Sequence, residues 1–152
     1  MSEPVEFFLN KASQADIADH LLRCDADFVP PLSGRVKIRS YAHKITNNAT
    51  RFEAWAGGAL IGLVAAYCND RERRTAYITS VSVLRGWTGG EVGSRLLGRC
   101  IGHLKELGFE HIELEVDGEN AGAIRLYEKK GFLINRLSGR AAIMHLSTGK
   151  DT

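Results

Sequence analysis

The stretch "VSVLRGWTGGEVGSRLLGRC", residues 81–100, runs from alternating apolar residues through Gly86, Gly89, Gly90 and Gly93 into an amphipathic segment. Alternation marks the end of a strand, and the spacing of Val92, Leu96, Leu97, Cys100, Ile101, Leu104 and Leu107 marks a helix that stops at Gly108. A strand that reaches a helix N-terminus through glycines suits an anion. The first-turn amides lack intrahelical partners, the dipole favours negative charge, and glycine lets a phosphate approach the backbone. Glycines needed only for turn dihedrals would satisfy the same spacing.

A dinucleotide fingerprint is a further reading, with Glu115 or Asp117 as the ribose-binding acid. That fold places its fingerprint after the first strand, whereas an antiparallel meander precedes it here. Upstream, "VEFFLNKA" reads as a first strand, and Ser13 with Asp16 makes a capping-box pattern ahead of Ile17, Ala18, Leu21 and Leu22. "DADFVPPLSGR" breaks that helix and is a candidate lid, before a second helix through Val36, Ile38, Tyr41, Ala42 and Ile45. Gly57-Gly58 predicts a hairpin between the two strand-like runs of residues 50–70. After the charged tip "DRERR", strict alternation puts Ala76, Ile78, Ser80, Ser82 and Leu84 on one strand face, with Tyr77, Thr79, Val81 and Val83 on the other. "HIELEV" is a strand, "NAGAIRLYEKK" a helix ended by Gly131, and "FLINRL" with "AAIMHL" a closing pair. The strand, helix and strand of residues 76–117 are long enough for a crossover between parallel strands. The fold class is therefore α/β: a mixed, mostly antiparallel central sheet with a βαβ crossover and flanking helices.

Composition narrows the function. The 152 residues suit one domain over 1–152, with an ordered core at about 5–146, and 44% hydrophobic with 25% charged residues is the balance of a soluble globular chain. A net charge of +2 gives no footprint for nucleic acid, so an anionic ligand must be recognised locally. The acidic N-terminus lacks a basic n-region and a long apolar h-region, and no window reaches the length of a membrane span, which points to the cytoplasm. Cys24, Cys68 and Cys100 have no CxxC spacing and the five histidines no ligand spacing, so neither a disulfide framework nor a metal is expected.

Residues 114–132, "LEVDGENAGAIRLYEKKGF", carry Leu114, Glu115, Val116, Asn120, Ala123, Leu126, Tyr127, Glu128, Gly131 and Phe132. At these positions the segment closely resembles the acyl-coenzyme A motif of the GCN5-related N-acetyltransferase (GNAT) family. The order of elements is similar across nearly the whole chain. The resemblance implies an acetyl-CoA-dependent enzyme. The backbone at Val81, Ser82 and Val83 would pair with the pantetheine arm, Gly89, Gly90, Val92, Gly93 and Ser94 would hold the pyrophosphate, and Asn120 would line the cleft. Tyr127 would protonate the departing thiolate. The family's pyrophosphate motif is R/Q-x-x-G-x-G/A, whereas this chain has Thr88 at the Arg/Gln position and Glu91 in place of a glycine. A carboxylate there competes with phosphate for the same amides, while Arg85 could supply a compensating charge.

Acetyl transfer to an amine needs the neutral amine, and Glu115 resembles the family's peptide-amine base; Glu113 could share that role. Direct attack then passes through a tetrahedral intermediate held by backbone N–H groups of the Val81–Val83 strand, with no acyl-enzyme. Phe28, Arg35, Tyr41, Tyr67 and Asn69, with Pro30, Pro31 and Trp55, are the expected acceptor-pocket residues. The acceptor is an amine of a small molecule, an amino sugar or a peptide. The alternative is a non-catalytic acyl-CoA-binding domain with a degenerate pyrophosphate loop. No nucleic acid or membrane partner is expected, and a homodimer through the closing strands is implied by resemblance only.

Overall fold

Turn chemistry sets the outline. In the computed structural model, which describes residues 4–149, Gly57 and Gly58 take φ of 56° and 78° and close a hairpin between β2 (Ala49–Ala56) and β3 (Ala59–Asp70). The Ser13 hydroxyl accepts from the Asp16 amide at 3.1 Å and the Asp16 carboxylate accepts from the Ser13 amide at 2.9 Å, the full capping box, at the start of α1 (Gln14–Cys24). Gly108 and Gly131, with φ of 92° and 102°, follow α3 (Val92–Glu106) and α4 (Ala121–Lys129). The other elements are β1 (Glu6–Leu9), α2 (Ile38–Asn48), β4 (Thr75–Val83), β5 (His111–Asp117), β6 (Leu133–Ser138) and β7 (Ala141–Ser147). The strands form one sheet in the order β1-β2-β3-β4-β5-β7-β6, antiparallel except for the β4–β5 pair. That parallel pair is the product of the α3 crossover. No helix among the described residues is long and apolar enough to cross a membrane.

Helices cover both faces of the sheet, so β3 is buried on both. Ile61, Val64 and Ala66 join Leu96, Leu97, Cys100, Leu104 and Phe132 beneath α3 and α4, whereas Leu60, Leu63 and Ala65 join Ile17, Leu21, Ala42 and Ile45 of α1 and α2. Gly62 lies where α3 comes closest: a Cβ there would stand 2.9 Å from both Leu96 Cδ1 and Val92 Cγ1. The helix whose N-terminus follows the glycine loop is thereby seated directly on β3.

The alternation expected for β4 holds only to Ile78. Against β3 the register runs Tyr67↔Tyr77, Ala66↔Ile78, then Ala65↔Ser80 and Val64↔Val81, so Thr79 is an extra residue. This β-bulge reverses the parity of everything after it. Val81 and Val83 face the α3 layer together with Ala76 and Ile78, while Ser82 turns to α1.

Two polar groups are held in this interior. After β1, the amides of Lys11 and Ala12 donate to the fully buried Glu53 carboxylate at 3.0–3.2 Å, Trp55 Nε1 donates at 3.0 Å, and the Arg51 guanidinium stands 3.7 Å away. His20 of α1 donates from Nδ1 to the Leu60 carbonyl at 2.9 Å, because a carbonyl can only accept. Its Nε2 therefore accepts from the Ser82 hydroxyl at 2.8 Å. Burial lowers the His20 pKa from 6.5 to about 4.

Glu53→Ala strands two amides, an indole N–H and a guanidinium, and is expected to lower the unfolding free energy by about 3 kcal/mol in urea titrations. His20 folds neutral, so the unfolded chain takes up its proton first as pH falls. Its contribution is complete above pH 6.5 and is lost progressively toward about pH 4. Urea midpoints measured across that window should show a loss on the order of 3 kcal/mol, and His20→Gln should flatten the slope.

Candidate active site

Ladder pairing between β4 and β5 is confined to four residue pairs, from Thr75↔His111 to Ile78↔Leu114. Beyond Ile78 comes the Thr79 bulge, and β4 continues to Val83 with β3 on one side only. The edge of residues 79–83 that turns toward β5 keeps its backbone groups out of the ladder, which opens a cleft between two neighbouring strands. The Tyr41 hydroxyl donates to the Thr79 carbonyl at 2.6 Å and meets Thr79 Oγ1 at 2.7 Å, tying α2 to the bulge.

On the α3 and α4 face stand the groups expected to meet the cofactor. A Cβ on Gly93 would lie 3.5 Å from Val83 Cγ2 and 3.9 Å from Leu126 Cδ2, so the start of α3, the end of β4 and α4 converge. Gly89 takes φ of 84°, and nothing lies within 4 Å of a Cβ placed on Gly86 or Gly89. Val92 is buried beneath the loop and Ser94 half-buried beside it. Glu91 occupies the N-cap position of α3, yet its side chain makes no capping hydrogen bond, and Thr88 is turned back onto the Arg85 carbonyl at 2.9 Å. The first-turn amides are thus not taken by a side chain. Arg85, the candidate compensating charge, pairs with Asp27 at 2.5 Å.

Asn120 caps α4, its Oδ1 accepting from the Ala123 amide at 3.2 Å. Tyr127 is buried in the same layer, edge-on to Phe132 at 6.0 Å, and burial pushes its pKa up to about 12. Its phenol is therefore a proton donor throughout the neutral range. Ser82 differs from its neighbours: the bulge sends its hydroxyl to His20 on the other face, so only its backbone remains on the cleft edge.

The opposite face holds a cavity of about 420 Å³ walled by the segment 28–36, β4, the end of β5 and the β6–β7 turn. Of the residues expected at an acceptor pocket, Phe28, Pro30, Arg35 and Tyr41 line it, and Glu115, the expected base, lines it too. Tyr67 and Asn69 do not line it, and this corrects their expected place. Both sit on β3, one strand behind the wall; the Tyr67 hydroxyl is buried without a partner and Asn69 is exposed near the β3–β4 turn. Pro31 is absent from the wall, and Trp55 is held in the core by Glu53. Glu113 lies on the same strand face as Glu115, opposite His145, but outside the cavity lining. Sequence reasoning missed Tyr77 and Thr79 as lining residues: Tyr77 stands on the face that alternation gives it, and Thr79 is the bulged residue itself. Burial raises the Tyr77 pKa, and the charges of Glu115 and Glu113 raise it further.

A model of the acetyltransferase (GNAT) family matches residues 15–132. The N-alpha-acetyltransferase MAK3 of Arabidopsis thaliana is 31% identical over 83 residues, which are 54% of this chain and 44% of that protein. The chain spans less than half the length of the curated relatives it matches. Among solved structures, the PaiA N-acetyltransferase of Thermoplasma acidophilum in complex with coenzyme A has a TM-score of 0.70 at 19% identity, covering 93% of this chain and 99% of its own. The ribosomal-protein-S18-alanine N-acetyltransferase of Escherichia coli has a TM-score of 0.76 at 19% identity, with 97% of each chain covered. At such identities the structures attest the fold, and the family match rests on the sequence of residues 15–132. From the parted strands, the side-chain-free helix start and this match together, the chain belongs to the GNAT acetyltransferase family.

Proposed function

We propose that the protein is an acetyl-CoA-dependent N-acetyltransferase that transfers acetyl to a primary amine of a small molecule, amino sugar or peptide. Attack is direct and passes through a tetrahedral intermediate. The observation that carries this reading is the parting of β4 from β5, with the Tyr127 layer on one face and the Glu115 cavity on the other. The residues present fit the cosubstrate: first-turn amides without a side-chain cap, open space above Gly86 and Gly89, and an unladdered β4 edge.

Bound acetyl-CoA supplies the thioester acetyl group. Gly89, Gly90, Val92, Gly93 and Ser94 hold its pyrophosphate, and the backbone of Val81–Val83 pairs with the pantetheine arm and holds the developing oxyanion. Glu115 takes one proton of the acceptor ammonium, directly or through water, and Tyr127 gives its proton to the departing thiolate; the second proton, shed by the acylated nitrogen as the amide forms, restores the phenol through water. The exposed Leu133, Ile134 and Leu137 of the edge strand β6 support a homodimer through that strand.

A second reading, a non-catalytic acyl-CoA-binding domain, is favoured by one feature, the carboxylate of Glu91 at the phosphate end of α3. Calorimetric titration with acetyl-CoA separates the two. The enzyme reading expects binding on the order of micromolar by the natural sequence, with turnover over an amine panel. Absence of binding, restored by Glu91→Gly, would mean a lost cofactor site. Tyr127→Phe should lower kcat about hundredfold with acetyl-CoA affinity retained. Because burial holds this phenol at about 12, its ionisation should cause no fall in rate below about pH 11.

A further inference from the structure

We infer that the acceptor is a zwitterion, a small amino carboxylate with an apolar body, whose ammonium meets Glu115 and whose carboxylate meets Arg35. This rests on the acetyl-transfer reading above and narrows it to one substrate class. The cavity of about 420 Å³ lies toward the small end of the range for small-molecule sites. Four charged residues line it: Arg35, Glu115, Asp117 and Arg140. Asp117 and Arg140 already neutralise one another at 3.1 Å, with the Asp117 side chain only 5% exposed. Arg35 and Glu115 form no ion pair among the described residues.

The two unmatched charges converge. Arg35 and Glu115 line the same cavity, and the Tyr77 side chain lines it with them. One comes from the segment before α2 and the other from β5, so a ligand between them meets a cation on one side and an anion on the other. A guanidinium presents a planar fork that matches a carboxylate with two parallel hydrogen bonds. The rest of the outer wall is apolar, from Phe28, Val29, Pro30, Leu32 and Val36, and suits an aliphatic or aromatic body. A polyamine or aminoglycoside would bring several cations to a site with one free carboxylate and would face Arg35 with like charge. A peptide N-terminus has no carboxylate beside its amine and would leave Arg35 unmatched.

The test measures acetyl transfer by the full chain to leucine, methionine and phenylalanine, to their amides, to a hexapeptide beginning with leucine, and to spermidine. Acetyl-CoA binding is followed in parallel by calorimetry. The free acids should exceed their amides in kcat/KM by about tenfold or more, and Arg35→Met should bring each acid and its amide within about twofold. Amides, peptide or spermidine used as well as the acids would overturn the inference, as would an acid preference that survives Arg35→Met. Acetyl-CoA binding without turnover of any of the three acids would overturn it alone. Absence of both binding and turnover would remove the acetyl-transfer reading beneath it.

Discussion

Two strands that exchange hydrogen bonds leave no room for a ligand between them, so a site in the middle of a sheet requires the ladder to stop. Here the stop falls at one residue. Thr79 is inserted into β4 immediately after the last pair with β5, and the Tyr41 hydroxyl holds both its carbonyl and its side chain. The β4–β5 ladder below the bulge joins the two halves of the sheet, while the edge above it is free. Because the bulge also reverses side-chain parity, it decides which residues face the α3 layer and which face the acceptor cavity. The part of the cavity wall that β4 supplies, Tyr77, Thr79 and Ser80, lies at that bulge.

Much of this was legible in the chain. Glycine pairs, a capping box and helical periodicity give the elements and their order, since each is a local preference that the tertiary structure does not override. The segment 114–132 gives the family because its residues recur at fixed spacing. The bulge was not legible: Thr79 is β-branched and ordinary in a strand, and neither glycine nor proline marks the irregularity. Strict alternation therefore failed at Ser80, and the error spread to Ser82, whose hydroxyl belongs to His20. Tyr67 and Asn69 were expected at the pocket from the resemblance, as neighbouring strand ends, and β3 stands one strand behind the lining that β4 provides. Glu53 left no signal either, because a carboxylate in "ATRFEAWA" reads as solvent-facing until the turn after β1 brings two amides to it.

The electrostatics divide into charges used for folding and charges left over. Glu53 with Arg51 closes the junction between β1 and α1, Asp27 with Arg85 ties the first loop to the glycine loop, and Asp117 with Arg140 closes one side of the cavity. The last two pairings involve residues that the sequence offers as ligands, Arg85 and Asp117. What is left at the cleft is sparse: amides and the Glu91 carboxylate at the start of α3, a buried phenol, and one carboxylate and one guanidinium at the cavity. Such a sparse set explains how a chain with a net charge of only +2 can still present oppositely signed groups to a ligand.

The parity reversal in β4 has an evolutionary consequence. After Thr79, odd-numbered side chains look toward α3 and α4 and even-numbered ones toward α1, so the two sides of a single strand answer to different selective pressures. The outer cavity wall comes from segment 28–36 and the β6–β7 turn, which lend no residue to the glycine loop or to the layer around Tyr127. Changes in those two segments can therefore retune what enters one mouth of the cleft while the machinery at the other mouth stays as it is.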